Sequence, residues 1–236
     1  METVPPTSLR ADARAVAWWV LVGAGAGAIA GFLVGGVGGR LAMLLLRLTS
    51  PEDVLGVVTD DGFEIGVVTT QTFGLVFAMT MLGALNGILY AALRGAIPGR
   101  LRVPLWGLFA AAAGGATFVN EDGVDFVLLE PAVLAVVLFV GLPGLAAVLV
   151  AVLVERWIER DPATDRALVA VLVVGAIAGT IALVVAVVIG AMALAIRRAD
   201  AASAVQRVAR VVVPLALVAL TLYAGVDLAN KASRII

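Results

Sequence analysis

Residues 20–30 read VLVGAGAGAIA, and within them Gly25, Gly27 and Ala30 fall in the spacing G-x-G-x-x-A. On a strand–turn–helix unit that spacing cradles a pyrophosphate, because glycine permits the tight turn and the helix N-terminus faces the charge. The same chemistry needs a second strand that ends in an acidic residue about 20 residues further on. From Gly25 the next acid is Glu52, Arg40 intervenes, and no alternation of strands and helices follows. The dinucleotide reading fails on that context. Counting by fours gives another pattern: Gly23, Gly27, Gly31, Gly35 and Gly39. Residues four apart share one helical face, and in lipid a face of small residues lets two backbones approach closely. Gly83, Gly87, Ala91 and Gly95 repeat the pattern, as do Gly107, Ala111 and Gly115. The expected partner of the first glycine face is therefore a helix of the same chain, with a homo-oligomeric contact as the alternative.

Other residues could support binding or transport. Glu52, Asp53, Asp60, Asp61, Glu64, Glu121, Asp122, Asp125 and Glu130 crowd into two inter-helix segments. Carboxylates separated by glycine suit a hard cation such as calcium, which takes oxygen ligands, although the spacing is not that of an EF-hand. The competing and preferred expectation pairs these acids with Arg197, Arg198, Arg207 and Arg210. Asn86, with Thr80 and Gln71, makes its apolar run the most polar of the set, and Pro143-Gly144 interrupts another in GLPGL. Proline inside a helix removes a backbone hydrogen bond and bends it, and broken helices near the midplane line many transport sites. Asn86, Pro143, Gly144 and Arg40 are accordingly the candidate path. Arg40 is expected at the outer membrane edge, either snorkelling to the interface or attracting anions. Asp227 is an acid inside an apolar run, a functional candidate by position, but Lys231 follows at i+4 and suits an ion pair. Intramembrane aspartyl proteolysis needs a second membrane aspartate, which no other span contains.

These residues must be positioned by a strongly apolar chain. Of 236 residues, 62% are hydrophobic and 14% charged, with a mean hydropathy of +1.11. A soluble domain is about 45–50% apolar and about 25% charged, so a polytopic membrane protein is expected. Neither cysteine nor histidine occurs, which excludes disulfides, thiolate or imidazole metal sites and Cys/His nucleophiles. The net charge of −1 offers no field for nucleic acid. Fifteen arginines against one lysine, with abundant Ala, Val and Gly, fit the codon bias of a GC-rich bacterial genome.

Apolar runs of membrane-spanning length, about 20 residues, fall at roughly 16–38, 70–92, 103–120, 131–154, 167–196 and 211–230. The third is short and Gly/Ala-rich and needs shelter from its neighbours. Pro104 and Pro131 suit first helical turns, Asp161-Pro162 reads as a helix start, and Ser50-Pro51-Glu52-Asp53 spells a capping box. Trp18, Trp19, Trp106 and Trp157 fit an aromatic belt at the headgroup level. With the N-terminus inside, ten basic residues face in and six out, which favours an N-in, C-in arrangement. Four of the six, in RRADAASAVQRVAR, would change sides if 167–196 formed a hairpin. Arg10, Arg14 and the apolar run after them resemble a secretory leader, but the run continues to Leu48, so an uncleaved first span is expected. The segments Asp60-Asp61-Gly62-Phe63-Glu64 and Glu121-Asp122-Gly123-Val124-Asp125 share a pattern, which suggests a two-helix repeat over 16–92 and 103–154.

The expectation is one all-α integral membrane domain over 1–236, a bundle of about six transmembrane helices packed through Gly/Ala stripes. It would sit as a multi-pass protein in a bacterial inner membrane. No catalytic residue, cofactor or nucleic-acid partner is expected. Its partners would be the lipid bilayer, a cation at the outer loops, and a second copy or another membrane protein. The leading functional expectation is a small permease or channel-like protein with an acidic outer vestibule. The alternative is a non-catalytic membrane subunit or scaffold of an envelope complex.

Overall fold

The computed structural model describes residues 9–54, 56–59, 62, 67–160, 165–178 and 202–236. The described chain is all-helical, with no β-strand among those residues. It begins as one rod: α1 (Leu9–Ala30), a π-helical segment (Gly31–Gly38) and α2 (Gly39–Thr49). No proline falls between residues 9 and 49 and no charge between Arg14 and Arg40, so nothing in the sequence breaks the rod there. Its 40 apolar-rich residues extend about 60 Å, roughly twice the hydrocarbon thickness of a bilayer. α3 (Thr70–Leu93) returns alongside it, followed by α4 (Arg102–Phe118), the single turn α5 (Val124–Val127), α6 (Ala132–Trp157), α7 (Arg166–Ala178) and α8 (Ala202–Ile235).

Small residues fix how these helices meet. A Cβ added at Gly23 would lie 2.7 Å from the Gly87 carbonyl oxygen, and one at Gly31 would lie 3.0 Å from the Gly83 Cα. The rod and α3 are thus antiparallel and touch backbone to backbone. α4 and α6 form a second antiparallel pair: Gly107 faces Val148, and Gly114 faces Pro143. α7 lies on the other side of the rod, where Leu172 leaves 2.5 Å for a Cβ at Gly25. α8 flanks α4, with Leu228 against Gly115.

The interior forms two packed cores. The first, near the start of α1, includes Val22, Ile88, Tyr90, Trp106 and Val154. The second, at the opposite end, contains Leu46, Val54, Val119, Phe126, Leu129, Ala135 and Val136. Among the described residues four helices are long and apolar enough to cross a membrane: Arg10–Thr49, Thr70–Leu93, Ala132–Trp157 and Val205–Ile235. α4, with 17 residues, falls short of that length and is sheltered between α6 and α8.

Several local expectations are corrected. Trp106 is 1% exposed and Trp19 is buried with it in the first core, so neither joins a headgroup belt; only Trp18 and Trp157 lie at the core's margin. A single 3-10 turn, Glu52–Val54, follows Ser50 where the short helix is expected, but the Ser50 side chain serves the helix before it. Its hydroxyl donates to the Leu46 carbonyl at 2.7 Å and accepts the Glu130 N–H at 2.8 Å, which closes α2 and pins it to the loop before α6. The Asp161-Pro162 helix start lies outside the described residues, and α7 is capped instead by Asp165.

α8 runs from the first core to the second. Val213 and Leu217 pack on the first core, whereas Leu228, Ala232 and Ile235 pack on the second. Lys231 Nζ donates to the Ala116 carbonyl at 2.6 Å and Arg234 bonds Glu121 at 2.7 Å, both at the far end of α4. The start of α1 and the end of α8 therefore lie at opposite ends of the bundle, whereas an N-in, C-in arrangement expects them at one end. α7 and α8 both begin at the first-core end; residues 179–201, and with them the expected fifth span or hairpin over 167–196, lie outside the described residues. Arg207 and Arg210, in the first turns of α8, consequently belong with Arg94, Arg102, Arg156 and Arg160 and not with the acidic loops. The first-core end is the basic end: Arg207 and Arg210 exchange places with Lys231 and Arg234, so the balance of basic residues among the described residues is the one the sequence count gives.

At that end Asp165 Oδ1 accepts the Leu168 N–H at 3.0 Å and Oδ2 accepts from Arg160 at 2.9 Å. The Leu168 amide first, and Arg160 second, hold its carboxyl below the ordinary range. A carboxyl depressed in the folded state contributes stability above its unfolded pKa, about 3.9 for aspartate, and loses it as pH falls through the lower folded value. The Leu168 amide resonance should therefore shift in an acid titration with a midpoint below that ordinary value. Asp165→Ala should remove the step; a step that survives would mean another group caps α7.

Candidate functional site

Between the two cores lies a chamber of about 430 Å³. Its walls come from both hairpins: Gly31, Gly35, Gly39, Ala42 and Met43 from the first rod, Leu75, Met79, Leu82, Gly83 and Asn86 from α3, Phe109, Ala113, Gly114, Thr117 and Phe118 from α4, and Phe139, Leu142, Pro143 and Ala146 from α6. The sequence explains why space remains there. Glycine and alanine supply walls without side chains, and Pro143 occupies the surface of Gly114 so closely that a Cβ there would be 2.5 Å away. The chamber begins at the π-helical segment, a rare geometry often found at functional sites. From Leu75 to Asn86 it follows about three turns of α3, roughly 16 Å. Leu82 and Phe118 combine lining with 52% and 42% exposure, so the chamber reaches the outer surface between α3 and α4.

Asn86 closes the deep end. Its Oδ1 accepts the Trp106 indole N–H at 3.0 Å, bridging α3 to α4. Trp106 leans on the Tyr90 ring at 5.4 Å between centroids. The Tyr90 hydroxyl donates to Glu155 Oε1 at 2.8 Å. Glu155 also receives Arg94 through Nε at 2.7 Å and through its terminal nitrogen at 2.6 Å, and Arg102 at 3.1 Å. A continuous chain of contacts thus runs from the chamber to an ion cluster that ties α3, α4 and α6 together at the basic end. Arg94 is held more firmly protonated by its Glu155 bonds, against the cost of its burial. Sequence reading missed Glu155 and Tyr90 altogether. The available signal was Tyr90 and Arg94 at i,i+4 on one helix and a lone acid in the last turn of α6.

The expected site residues divide as follows. Gly31, Gly35, Gly39, Gly83, Asn86 and Pro143 line the chamber. Gly23, Gly27 and Gly87 lie nearer the basic end, where the rod meets α3. Gly144 faces Ala111 and Gly107 on α4. Arg40 does not project into the chamber: it donates to Thr72 Oγ1 at 2.5 Å and to the Val67 carbonyl at 3.3 Å, joining the rod to the start of α3. Of the acids, Asp60, Asp61 and Glu64 lie outside the described residues. Glu121 pairs with Arg234, so its partner is the C-terminal turn and not Arg207 or Arg210; Arg197 and Arg198 lie outside the described residues. Asp122 and Glu130 are exposed. No group of three acids able to hold a metal ion occurs among the described residues, Asp125 included. Asp227 and Lys231 form the i,i+4 pair at 3.1 Å.

Among the described residues, fold and site together define an all-helical chain with four helices long and apolar enough to cross a membrane and an apolar chamber between two helical hairpins. No family model, curated protein or solved structure matches the chain.

Proposed function

We propose that the chain is a small permease-like protein of a bacterial inner membrane, which takes an apolar or amphipathic molecule from the bilayer into the chamber. The observation that carries this reading is an apolar chamber lying between the two cores, with the lining residues Leu82 and Phe118 exposed between α3 and α4. Such a gap suits a ligand already dissolved in the hydrocarbon. No charged residue lines it, so a dehydrated cation would meet no countercharge there, at a cost a membrane interior makes severe. This weighs against the channel form of the expectation. By the positive-inside rule, the basic end carrying Arg94, Arg102, Arg156 and Arg160 faces the cytoplasm.

Transfer between membranes tests this. Donor proteoliposomes loaded with a fluorescent fatty-acid methyl ester should pass it to empty acceptor vesicles several-fold faster than protein-free liposomes do. Ala113→Trp, which fills the chamber, should return the rate to the protein-free value. Equal rates with and without the protein would overturn the reading. The subunit alternative has one observation in its favour: only 6% of the α8 span is buried, which leaves its outward face to lipid or to another membrane protein. From Gly23 to Gly35 the glycine face of the rod is not open for that role, because α3 already covers it.

A further inference from the structure

We infer that the chamber selects a molecule whose apolar body carries an uncharged oxygen acceptor, and that the side-chain amide of Asn86 donates to that oxygen. The inference rests on the chamber being a ligand site, as proposed above. Indole N–H is a donor only, so its bond from Trp106 must fall on the Asn86 oxygen, and the orientation of the amide is fixed. The Nδ2 group is then the end left over. Among the described residues nothing accepts from it, and no buried side-chain nitrogen or oxygen is left unpartnered, so Nδ2 is accessible. Because Asn86 lines the chamber, the accessible space beside it is the chamber itself.

The rest of the wall sharpens the specificity. Thr117, the other lining residue with a polar side chain, already donates its hydroxyl proton to the Ala113 carbonyl at 2.7 Å and can only accept. Asn86 is therefore the one lining side chain with a donor to spare. Met79, Leu82, Phe109, Phe118, Phe139 and Leu142 offer dispersion contact alone. A ligand that brought a carboxylate or an ammonium would find no opposite charge. A ketone, ester or ether oxygen set against an elongated hydrocarbon body of up to about 16 Å accepts one of the two Nδ2 protons and brings no charge that the chamber cannot match.

The test measures saturable binding of tritiated ligands to the purified full-length protein in nanodiscs. A medium-chain fatty-acid methyl ester, the n-alkane of equal length and an alkyltrimethylammonium of similar length are compared. The ester should bind about tenfold tighter than the alkane, as expected for one hydrogen bond to an otherwise unpaired donor, and the ammonium should bind most weakly. The double variant Asn86→Leu with Trp106→Phe removes both bonded partners, so no buried donor is orphaned. It should bind ester and alkane alike, at the wild-type alkane affinity. Equal affinity for ester and alkane in the wild type needs no variant to interpret and would overturn the role of Asn86. A preference that survives in the double variant would do the same. Both results leave the chamber itself intact as a site, whereas absence of saturable binding by any of the three probes would overturn the chamber reading.

Discussion

Gly27→Ala is expected to cost the protein most of its stability, while the same change at Gly39 leaves it unaffected or slightly stabilised. The two positions belong to the same four-residue series and differ in what stands opposite. A methyl group at Gly27 would fall within the Gly83 carbonyl group, with the Gly83 carbonyl carbon at 2.8 Å and the Ala84 Cα at 2.9 Å. All of these are backbone atoms of α3, so no side chain can rotate away and the two helices must separate. Overpacking in a well-packed interior costs about 1–3 kcal/mol, and this case should reach or pass about 3 kcal/mol, because the displaced body is a whole helix. Helix propensity, which favours alanine over glycine by up to about 1 kcal/mol, is too small to offset it. At Gly39 nothing lies within 4 Å of the added carbon, so only the propensity gain remains. Midpoints of denaturant unfolding in detergent micelles would measure both. Equal midpoints would mean that the rod and α3 do not touch at Gly27.

Glu155→Gln is expected to loosen the basic end by about 3 kcal/mol. The carboxylate is the common acceptor for Tyr90, Arg94 and Arg102, and an amide would present a donor to two guanidinium groups. Removing one partner of a buried ion pair costs about 3–5 kcal/mol; the lower value applies because the Glu155 side chain keeps 26% of its exposure. Adding Arg94→Met should recover part of the loss, since the second change removes a charge left without its partner, and a double-mutant cycle would give the coupling. Glu121→Gln is the contrast. Its partner Arg234 is 67% exposed, and exposed pairs are worth about 0–1 kcal/mol and weaken with salt. A Glu155→Gln protein as stable as Glu121→Gln would remove the cluster from any structural role.

Much of the architecture was legible because it follows from one-dimensional patterns. The small-residue spacing at Gly23, Gly27, Gly83 and Gly87 is a helical repeat, and the apolar runs mark long helices directly. Asn86 and Pro143 stood out as local exceptions within such runs. What the sequence left obscure depends on which helices become neighbours. By sequence Glu155 is one charge near a helix end, and only the neighbouring α3 and α4 bring Tyr90, Arg94 and Arg102 to it. Trp106 matched an interfacial indole by sequence position, yet the pairing of the two hairpins buries it against Asn86. The direction of α8 could not be read from hydropathy, because an apolar run reports that a segment enters lipid but not from which side. Arg207 and Arg210 mark the end at which α8 begins, but a charge count weighs them only after the side of that end is known.

The π-helical segment at Gly31–Gly38 has a consequence for how a sequence motif becomes a surface. In an α-helix, residues four apart drift steadily around the axis, since the turn is 3.6 residues. A long glycine line of that spacing would spiral away from any straight partner. A tract closed by i→i+5 bonds winds less per residue, and the drift reverses. The segment thus works as a phase corrector: Gly35 returns to Met79 of α3, and Arg40 arrives in register with Thr72. The same correction that keeps the two rods in step also widens the helix where the chamber begins.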